Sequence, residues 1–147
     1  MTRRKEKYEK ENVLIIKTGY SEFLDYDIDS RVVSLGDVLR TTPLLHVYKN
    51  DNVTWITDKD AIPLLKDNPY IKTLLPLDWI NAERLRRQEF DIIINLEKVS
   101  GICALFDQIP TRSRYGFRFD TRTGEAKAYD RAFEVLAVSS DSKVKKN

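Results

Sequence analysis

The sequence predicts an α/β fold built on a doubly wound parallel sheet, and three observations support this. The chain has 147 residues, of which 41% are hydrophobic, enough for the core of one domain. Short runs of consecutive apolar, β-branched residues recur along it, as strands covered on both faces require. Stretches with the apolar spacing of a helix separate these runs, and that alternation is typical of a doubly wound sheet.

Four apolar runs predict the parallel strands. They lie at residues 13–16, 53–57, 71–75 and 91–95. Residues 114–117 predict a short fifth strand. Residues 120–124 form a polar cluster that ends in glycine, which predicts a turn.

Five further stretches predict helices. They lie at residues 37–48, 58–66, 79–88, 99–108 and 128–138. Pro43 lies inside the first, where we expect it to end a 3₁₀ turn, start the main helix or kink it. We expect Trp79 to anchor the third helix. We expect Cys103, on the apolar stripe of the fourth, to be a buried and inert thiol.

Composition excludes several classes of function. A single cysteine excludes an internal disulfide framework and a multi-cysteine zinc site, so a reducing compartment fits. A single histidine excludes a histidine cluster that binds metal. We expect no metal and no cofactor at the site. No apolar run has the length of a membrane-spanning helix, and the charged N-terminus is no signal peptide.

The net charge of +2 is unevenly distributed. Residues 1–11 carry five positive and three negative side chains, and residues 141–147 carry three positive and one negative. The remaining residues are therefore slightly acidic. Because the basic excess lies at the ends, it is weak evidence for nucleic-acid binding, and we expect no nucleic-acid partner.

The loop after the first strand is the first place to look for chemistry. It runs over residues 17–37, far longer than an ordinary connection in an α/β unit, and long loops are usually functional. It contains no glycine-rich motif of a dinucleotide or nucleoside-triphosphate site. It ends in Ser34-Leu-Gly-Asp37, where Ser34 can cap a helix and Asp37 lies at the helix start. A purely capping role for Asp37 remains the alternative at this point.

Several ordered motifs resemble the N-terminal half of family 9 glycosyltransferases, which include the lipopolysaccharide heptosyltransferases. The matching segments are residues 13–19, 34–45, 53–57, 63–71, 90–98 and 114–117. The resemblance implies a GT-B architecture, in which two Rossmann-like domains face each other across a cleft. It implies an inverting, metal-independent transfer of a heptose-like sugar, with the acceptor held by the N-terminal domain and the nucleotide sugar by the C-terminal domain.

The resemblance also implies roles for individual residues. Asp37 matches the proposed general base, which takes the proton of the acceptor hydroxyl as it attacks the anomeric carbon. Residues expected to bind the acceptor are Lys17, Thr18, Gly19, Ser34, Leu35, Gly36, Arg40, Thr41, Asn95 and Glu97. Lys17 would pair with an anionic acceptor such as a phosphorylated sugar, or be a surface lysine. Asn95 and Glu97 would bind sugar hydroxyls, or cap the following helix.

Two features depart from the family pattern. Residues 20–33 are inserted between the first strand and Ser34, where they would shape the acceptor site or form a surface flap over the sheet edge. We expect a charged tail over residues 1–11, one Rossmann-like domain over 12–138, and a tail or linker over 139–147. No donor-binding domain is expected within the chain.

The expected partners are a glycan or lipid-linked sugar acceptor and, through the second domain, a nucleotide-sugar donor. Such a protein would be cytoplasmic, at the inner face of the membrane and peripherally associated with it. The alternative is a non-catalytic Rossmann-like module that binds carbohydrate or pairs with a donor-domain subunit.

Overall fold

The computed structural model describes residues 9–20 and 33–129, and within these ranges six strands form one sheet. The strands are β1 (Asn12–Ile16), β2 (Asn52–Thr57), β3 (Thr73–Pro76), β4 (Phe90–Asn95), β5 (Thr111–Asp120) and β6 (Glu125–Ala128). Their order across the sheet is β3-β2-β1-β4-β5-β6. All pairs are parallel except β5 with β6, which is antiparallel.

The strand order reverses between β1 and β4. From β1 the chain builds outward through β2 and β3 on one side, and then through β4, β5 and β6 on the other. In open α/β sheets, ligands bind at the carboxyl ends of the strands that flank such a reversal. The functional site is therefore expected where β1 and β4 end.

The described helices cover both faces of the sheet. They are α1 (Leu35–Thr41), α2 (Ile62–Leu65), α3 (Trp79–Arg86) and α4 (Ser100–Phe106). Two 3₁₀ segments, Thr42–His46 and Lys59–Ala61, continue α1 and precede α2. None of these helices has the length and apolar character of a membrane span.

Strand β1 contributes to both hydrophobic cores, because successive side chains of a strand point to opposite faces. Val13 and Ile15 pack with residues of α1 and α2 on one face. Leu14 and Ile16 pack with residues of α3 and α4 on the other. All four are fully buried. The doubly wound parallel sheet that the apolar runs predicted is thus confirmed.

The first predicted helix is divided at Pro43. Regular α1 ends at Thr41, and the chain continues as the 3₁₀ segment that contains Pro43 near its start. Proline lacks the backbone N–H that an α-helix interior needs, and it is tolerated in the first turn of a new segment. The 3₁₀ segment that contains Pro43 therefore comes after the α-helix in the chain.

The C-terminal part of the sheet differs from the prediction. The fifth strand, predicted over 114–117, spans Thr111–Asp120, and a sixth strand that was not predicted pairs with it. The turn predicted over 120–124 joins the two. The helix predicted from Ala128 is wrong at that residue, because Ala128 pairs with Phe117 in the sheet. Residues 130–138 of that prediction lie outside the described residues.

Trp79 does not anchor α3 to the core. Trp79 is 75% exposed, and the neighbouring Ile80 is 68% exposed. Asp78 fixes the start of the helix instead, since its carboxylate accepts a hydrogen bond from the backbone N–H of Asn81 at 2.7 Å. The buried residues of α3 are Asn81, Ala82 and Leu85.

Gly116→Ala should destabilise the protein by about 3 kcal/mol, because two costs add. Gly116 has a φ of +98°, and a Cβ there would lie 2.0 Å from the Asn95 carbonyl oxygen. Gly124→Ala is the matched control. Gly124 has a φ of +74° but nothing within 4 Å of an added Cβ, so only the backbone strain of about 1–2 kcal/mol applies. Urea unfolding measures both, and equal effects would contradict the steric argument.

Candidate functional site at the carboxyl ends of β1 and β4

The turn after β1 is held by a buried carboxylate from the chain that leaves β4. Glu97 Oε2 accepts hydrogen bonds from the backbone N–H of Thr18 at 2.5 Å and of Gly19 at 3.1 Å. Glu97 is fully buried, and its other oxygen, Oε1, has no hydrogen-bond partner in the described part of the chain. The turn therefore lies at the point where the strand order reverses.

Gly19 allows the turn to approach α1 closely. It adopts a φ of +92°, and a Cβ would lie 3.0 Å from the Ser34 carbonyl oxygen and 3.0 Å from a methyl group of Val38. The Gly19 carbonyl accepts a hydrogen bond from the Ser34 N–H at 2.8 Å. Only a residue without a side chain fits this conformation and spacing well.

The two ends of the inserted segment are joined at its base. Tyr20 and Val33 form an antiparallel bridge immediately beyond Gly19 and Ser34. The Tyr20 hydroxyl also donates a hydrogen bond of 2.7 Å to Asp58 Oδ1, at the carboxyl end of β2. The insertion thus leaves the domain at the edge where the site is expected. Its interior, residues 21–32, lies outside the described residues.

Asp37 lies in the first turn of α1, at this same edge. Ser34 caps the helix, and its hydroxyl oxygen accepts a hydrogen bond from the Asp37 N–H at 3.3 Å. The Asp37 side chain is 43% exposed, so its carboxylate is accessible to a ligand. Arg40, one helical turn later, donates a hydrogen bond to Asp37 Oδ1 and forms an ion pair with it.

Positive groups keep Asp37 ionised. Partial burial alone raises the pKa of its carboxyl group. Hydrogen bonds from Arg40 and Ser34, together with the charges of Lys17 and Arg40, outweigh burial and hold the pKa below its ordinary value. Because the pKa in the folded state is depressed, the ionised group favours folding at neutral pH. This contribution is lost as the pH falls through the folded-state pKa.

Lys17 interacts electrostatically with both acidic groups of the site. Its Nζ is 3.8 Å from Glu97 Oε2 and donates a 3.4 Å hydrogen bond to the Leu96 carbonyl. Its charge also lowers the pKa of Asp37. The lysine is therefore part of the site, with its side chain 16% exposed.

Asn95 and Glu97 occupy internal positions, and neither caps the helix that follows. The Asn95 amide donates to Cys103 Sγ at 3.3 Å and to the Phe117 carbonyl at 3.2 Å. Its oxygen accepts a hydrogen bond from the Glu97 N–H at 3.0 Å. The N-cap of α4 is Val99. Both polar side chains therefore bind protein groups, and their predicted contact with an acceptor stays a prediction.

The other predicted acceptor residues differ in exposure. Thr18 is fully buried, whereas Leu35 and Gly36 are exposed in the first turn of α1. Gly36 has open space around it, so its lack of a side chain serves no close packing within the described structure. The Thr41 hydroxyl donates a 2.7 Å hydrogen bond to the Val38 carbonyl. Of the predicted acceptor residues, the exposed ones near Asp37 in sequence are thus Leu35, Gly36 and Arg40.

Sequence reasoning missed several groups at this edge. Asp58 is 2% exposed, and its carboxylate joins Tyr20 to the start of the next 3₁₀ segment. Thr57 is buried at the end of β2, and its hydroxyl has no hydrogen-bond partner among the described residues. The exposed Trp79 follows β3 at the same edge. Its position directly after the predicted strand at 53–57 was the available signal for Asp58.

Metal binding finds no support among residues 9–20 and 33–129, which contain no cluster of three or more His, Cys, Asp or Glu side chains that could hold an ion. A surface groove lies at the opposite, amino edge of the sheet, lined by Asn12, Asn52, Lys72 and Arg87 among others. Since ligands of this fold class bind at the carboxyl ends of the strands, we do not assign that groove a role.

Comparison with solved structures identifies a similar fold. The crystal structure of a glycosyl transferase family 9 protein from Veillonella parvula matches with a TM-score of 0.56 and 21% sequence identity. The chain has the fold of one domain of a family 9 glycosyltransferase. The match covers 75% of this chain and 33% of that chain. The resemblance seen in the motifs is thus confirmed at the level of the fold. No family model and no curated protein matches the chain.

Cys103 should resist thiol reagents in the folded protein. Burial raises the pKa of its thiol to about 11, so at pH 8 only about one thiol in a thousand is ionised. The chain has one cysteine, so Ellman's reagent reports on it alone. We expect labelling at pH 8 to be at least about 100-fold slower in buffer than in denaturing urea. Equal rates would show that the thiol is accessible.

Lys17→Met should raise the pKa of Asp37 towards its ordinary value, because a positive charge that favours the carboxylate is removed. The pH titration of the Asp37 carboxyl carbon by NMR measures this. Lys66→Met, an exposed lysine at the end of α2, is the control and should leave the titration unchanged. An unchanged Asp37 titration in Lys17→Met would contradict the arrangement of the two groups.

Proposed function

We propose that this chain is the acceptor-binding part of an inverting, metal-independent glycosyltransferase. The observation that carries the proposal is Asp37, an accessible and ionised carboxylate in the first turn of α1, at the carboxyl edge of the sheet. The fold likeness to a family 9 glycosyltransferase and the matching motifs support it.

The proposed reaction uses Asp37 as a general base. An acceptor hydroxyl attacks the anomeric carbon of the nucleotide sugar from the face opposite the leaving group. The new glycosidic bond forms as the bond to the nucleoside diphosphate breaks, which inverts the configuration. Asp37 takes the hydroxyl proton as the bond forms. A carboxylate of lowered pKa is a weak base, so this transfer occurs late, when the attacking oxygen has become acidic.

Cationic groups beside Asp37 suit an anionic acceptor. Lys17 and Arg40 both lie close enough to influence the carboxylate, and Arg40 is 64% exposed. A phosphate on the acceptor sugar can bind such groups, and Arg40 would then exchange its ion pair with Asp37 for the phosphate. The exposed ring of Trp79 offers an apolar surface at the same edge.

The acceptor would be a glycan or a lipid-linked sugar, and the donor a nucleotide-activated heptose-like sugar bound by a second domain. The matched region is 33% of the similar structure, so the proposed activity is that of a larger assembly. A lipid-linked acceptor would place the reaction at a membrane surface, and the side proposed is the cytoplasmic, inner face.

A second candidate is a module that binds another polypeptide or a carbohydrate without catalysing transfer. The exposure of neighbouring Trp79 and Ile80 favours it, because adjacent large apolar residues on a surface often mark a contact site. Assay of the chain joined to a donor-binding domain separates the candidates. Release of nucleoside diphosphate from a nucleotide heptose in the presence of an acceptor would contradict the module, and its absence would favour the module.

Asp37→Asn should lower turnover by about 100- to 10,000-fold, the usual contribution of a general base. The experiment uses the chain joined to its donor-binding domain and measures release of nucleoside diphosphate. Donor affinity should not change, because the donor is bound elsewhere. Asp60→Asn, an exposed carboxylate in the first turn of the 3₁₀ segment after β2, is the matched control. Wild-type turnover of Asp37→Asn would refute the assignment.

A further inference from the structure

Burial of the Glu97 carboxylate costs free energy of folding, and packing alone does not explain why a carboxylate is buried there. It is fully buried, and its Oε1 atom has no hydrogen-bond partner among residues 9–20 and 33–129. A buried carboxylate oxygen without a partner opposes folding. The other oxygen, however, makes every contact that the structure gives this carboxylate, and all of these contacts go to the turn after β1.

Glu97 joins two distant parts of the sequence. Its Oε2 atom accepts hydrogen bonds from the consecutive N–H groups of Thr18 and Gly19, which lie 79 and 78 residues away in the chain. Hydrogen bonds to an ionised acceptor are about twice as strong as those between neutral groups. Lys17 Nζ, 3.8 Å away, supplies the opposite charge. The carboxylate therefore holds all three residues of the turn.

The turn of residues 17–19 also positions the start of α1. The Gly19 carbonyl accepts the Ser34 N–H at 2.8 Å, and the backbone of Gly19 packs against Ser34 and Val38. Ser34 is the N-cap, and its hydroxyl oxygen accepts the Asp37 N–H at 3.3 Å. A continuous path of hydrogen bonds thus leads from Glu97 through Gly19 and Ser34 to Asp37.

We propose that Glu97 is a positioning residue, which fixes Asp37 through the turn after β1 and the cap of α1. All contacts that the structure gives its carboxylate go to the turn after β1, so this role requires no contact with an acceptor. The importance of Asp37 to the reaction rests on the proposed function. The path of hydrogen bonds does not.

Backbone amide hydrogen exchange in the 147-residue chain, followed by NMR, tests the proposal without any substrate. Glu97→Gln keeps the size of the side chain and removes its charge. The amides of Thr18 and Gly19 should then exchange about tenfold faster, because their charge-assisted hydrogen bonds become neutral ones. The amides of Ser34 and Asp37 should also exchange faster, because the turn that positions the Gly19 carbonyl and the Ser34 cap is held less firmly. The amides of Ile15 and Ile94, in the interiors of β1 and β4, should keep their rates.

Asp120→Asn is the matched control. Asp120 is also buried, accepts a backbone hydrogen bond from Arg122 at 2.9 Å and pairs with Lys127 at 3.1 Å, but it lies on β5. This variant should leave the four amides unchanged. If Glu97→Gln fails to fold, Glu97→Asp decides in the same way, because its shorter side chain keeps the charge and cannot reach both N–H groups.

Unchanged exchange at the four amides in Glu97→Gln would overturn the proposal. Equal acceleration across the whole sheet would also overturn it, because Glu97 would then stabilise the fold in general. Local acceleration supports it. Should the path be confirmed while Asp37→Asn remains active in the complete enzyme, the proposed function fails and the positioning role of Glu97 stands.

Discussion

The burial of β1 between β2 and β4 is the constraint on which the rest of the structure depends. Four consecutive apolar side chains are fully buried and alternate between the two cores. A shift of one residue in its register would move each side chain to the opposite face and disrupt both cores. The end of β1 is therefore fixed in space. The turn of Lys17, Thr18 and Gly19 begins from that fixed point.

Much of the sheet could be predicted because its central strands are continuous apolar runs. The predicted run at 53–57 and the observed β2 differ by one residue. The end of the sheet was harder to predict, since β5 begins with four polar residues and β6 alternates charged residues with alanine. Most residues of both strands are exposed or half-buried. Ala126 and Ala128 have high helix propensity, and pairing with β5 overrides it.

In the site, as in the sheet, some contacts could be predicted from the sequence and others could not. The cap by Ser34 and the pairing of Asp37 with Arg40 follow from spacings of three residues, which the sequence displays directly. The contact between Glu97 and the turn spans 79 residues and depends on the strand order. The sequence showed a carboxylate after a strand. It did not show that the backbone N–H groups of Thr18 and Gly19 would donate hydrogen bonds to that carboxylate.

The bridge between Tyr20 and Val33 separates the insertion from the scaffold. Opposite residues of an antiparallel pair lie about 5 Å apart. The rest of the domain therefore needs only Tyr20 and Val33 to be close together, whatever segment joins them. The entropy of closing such a loop rises slowly with its length. Evolution can therefore lengthen, shorten or replace this segment while selection on β1 and α1 continues unchanged. For protein engineering, the same pair of residues is a grafting point at which foreign loops can be presented beside Asp37.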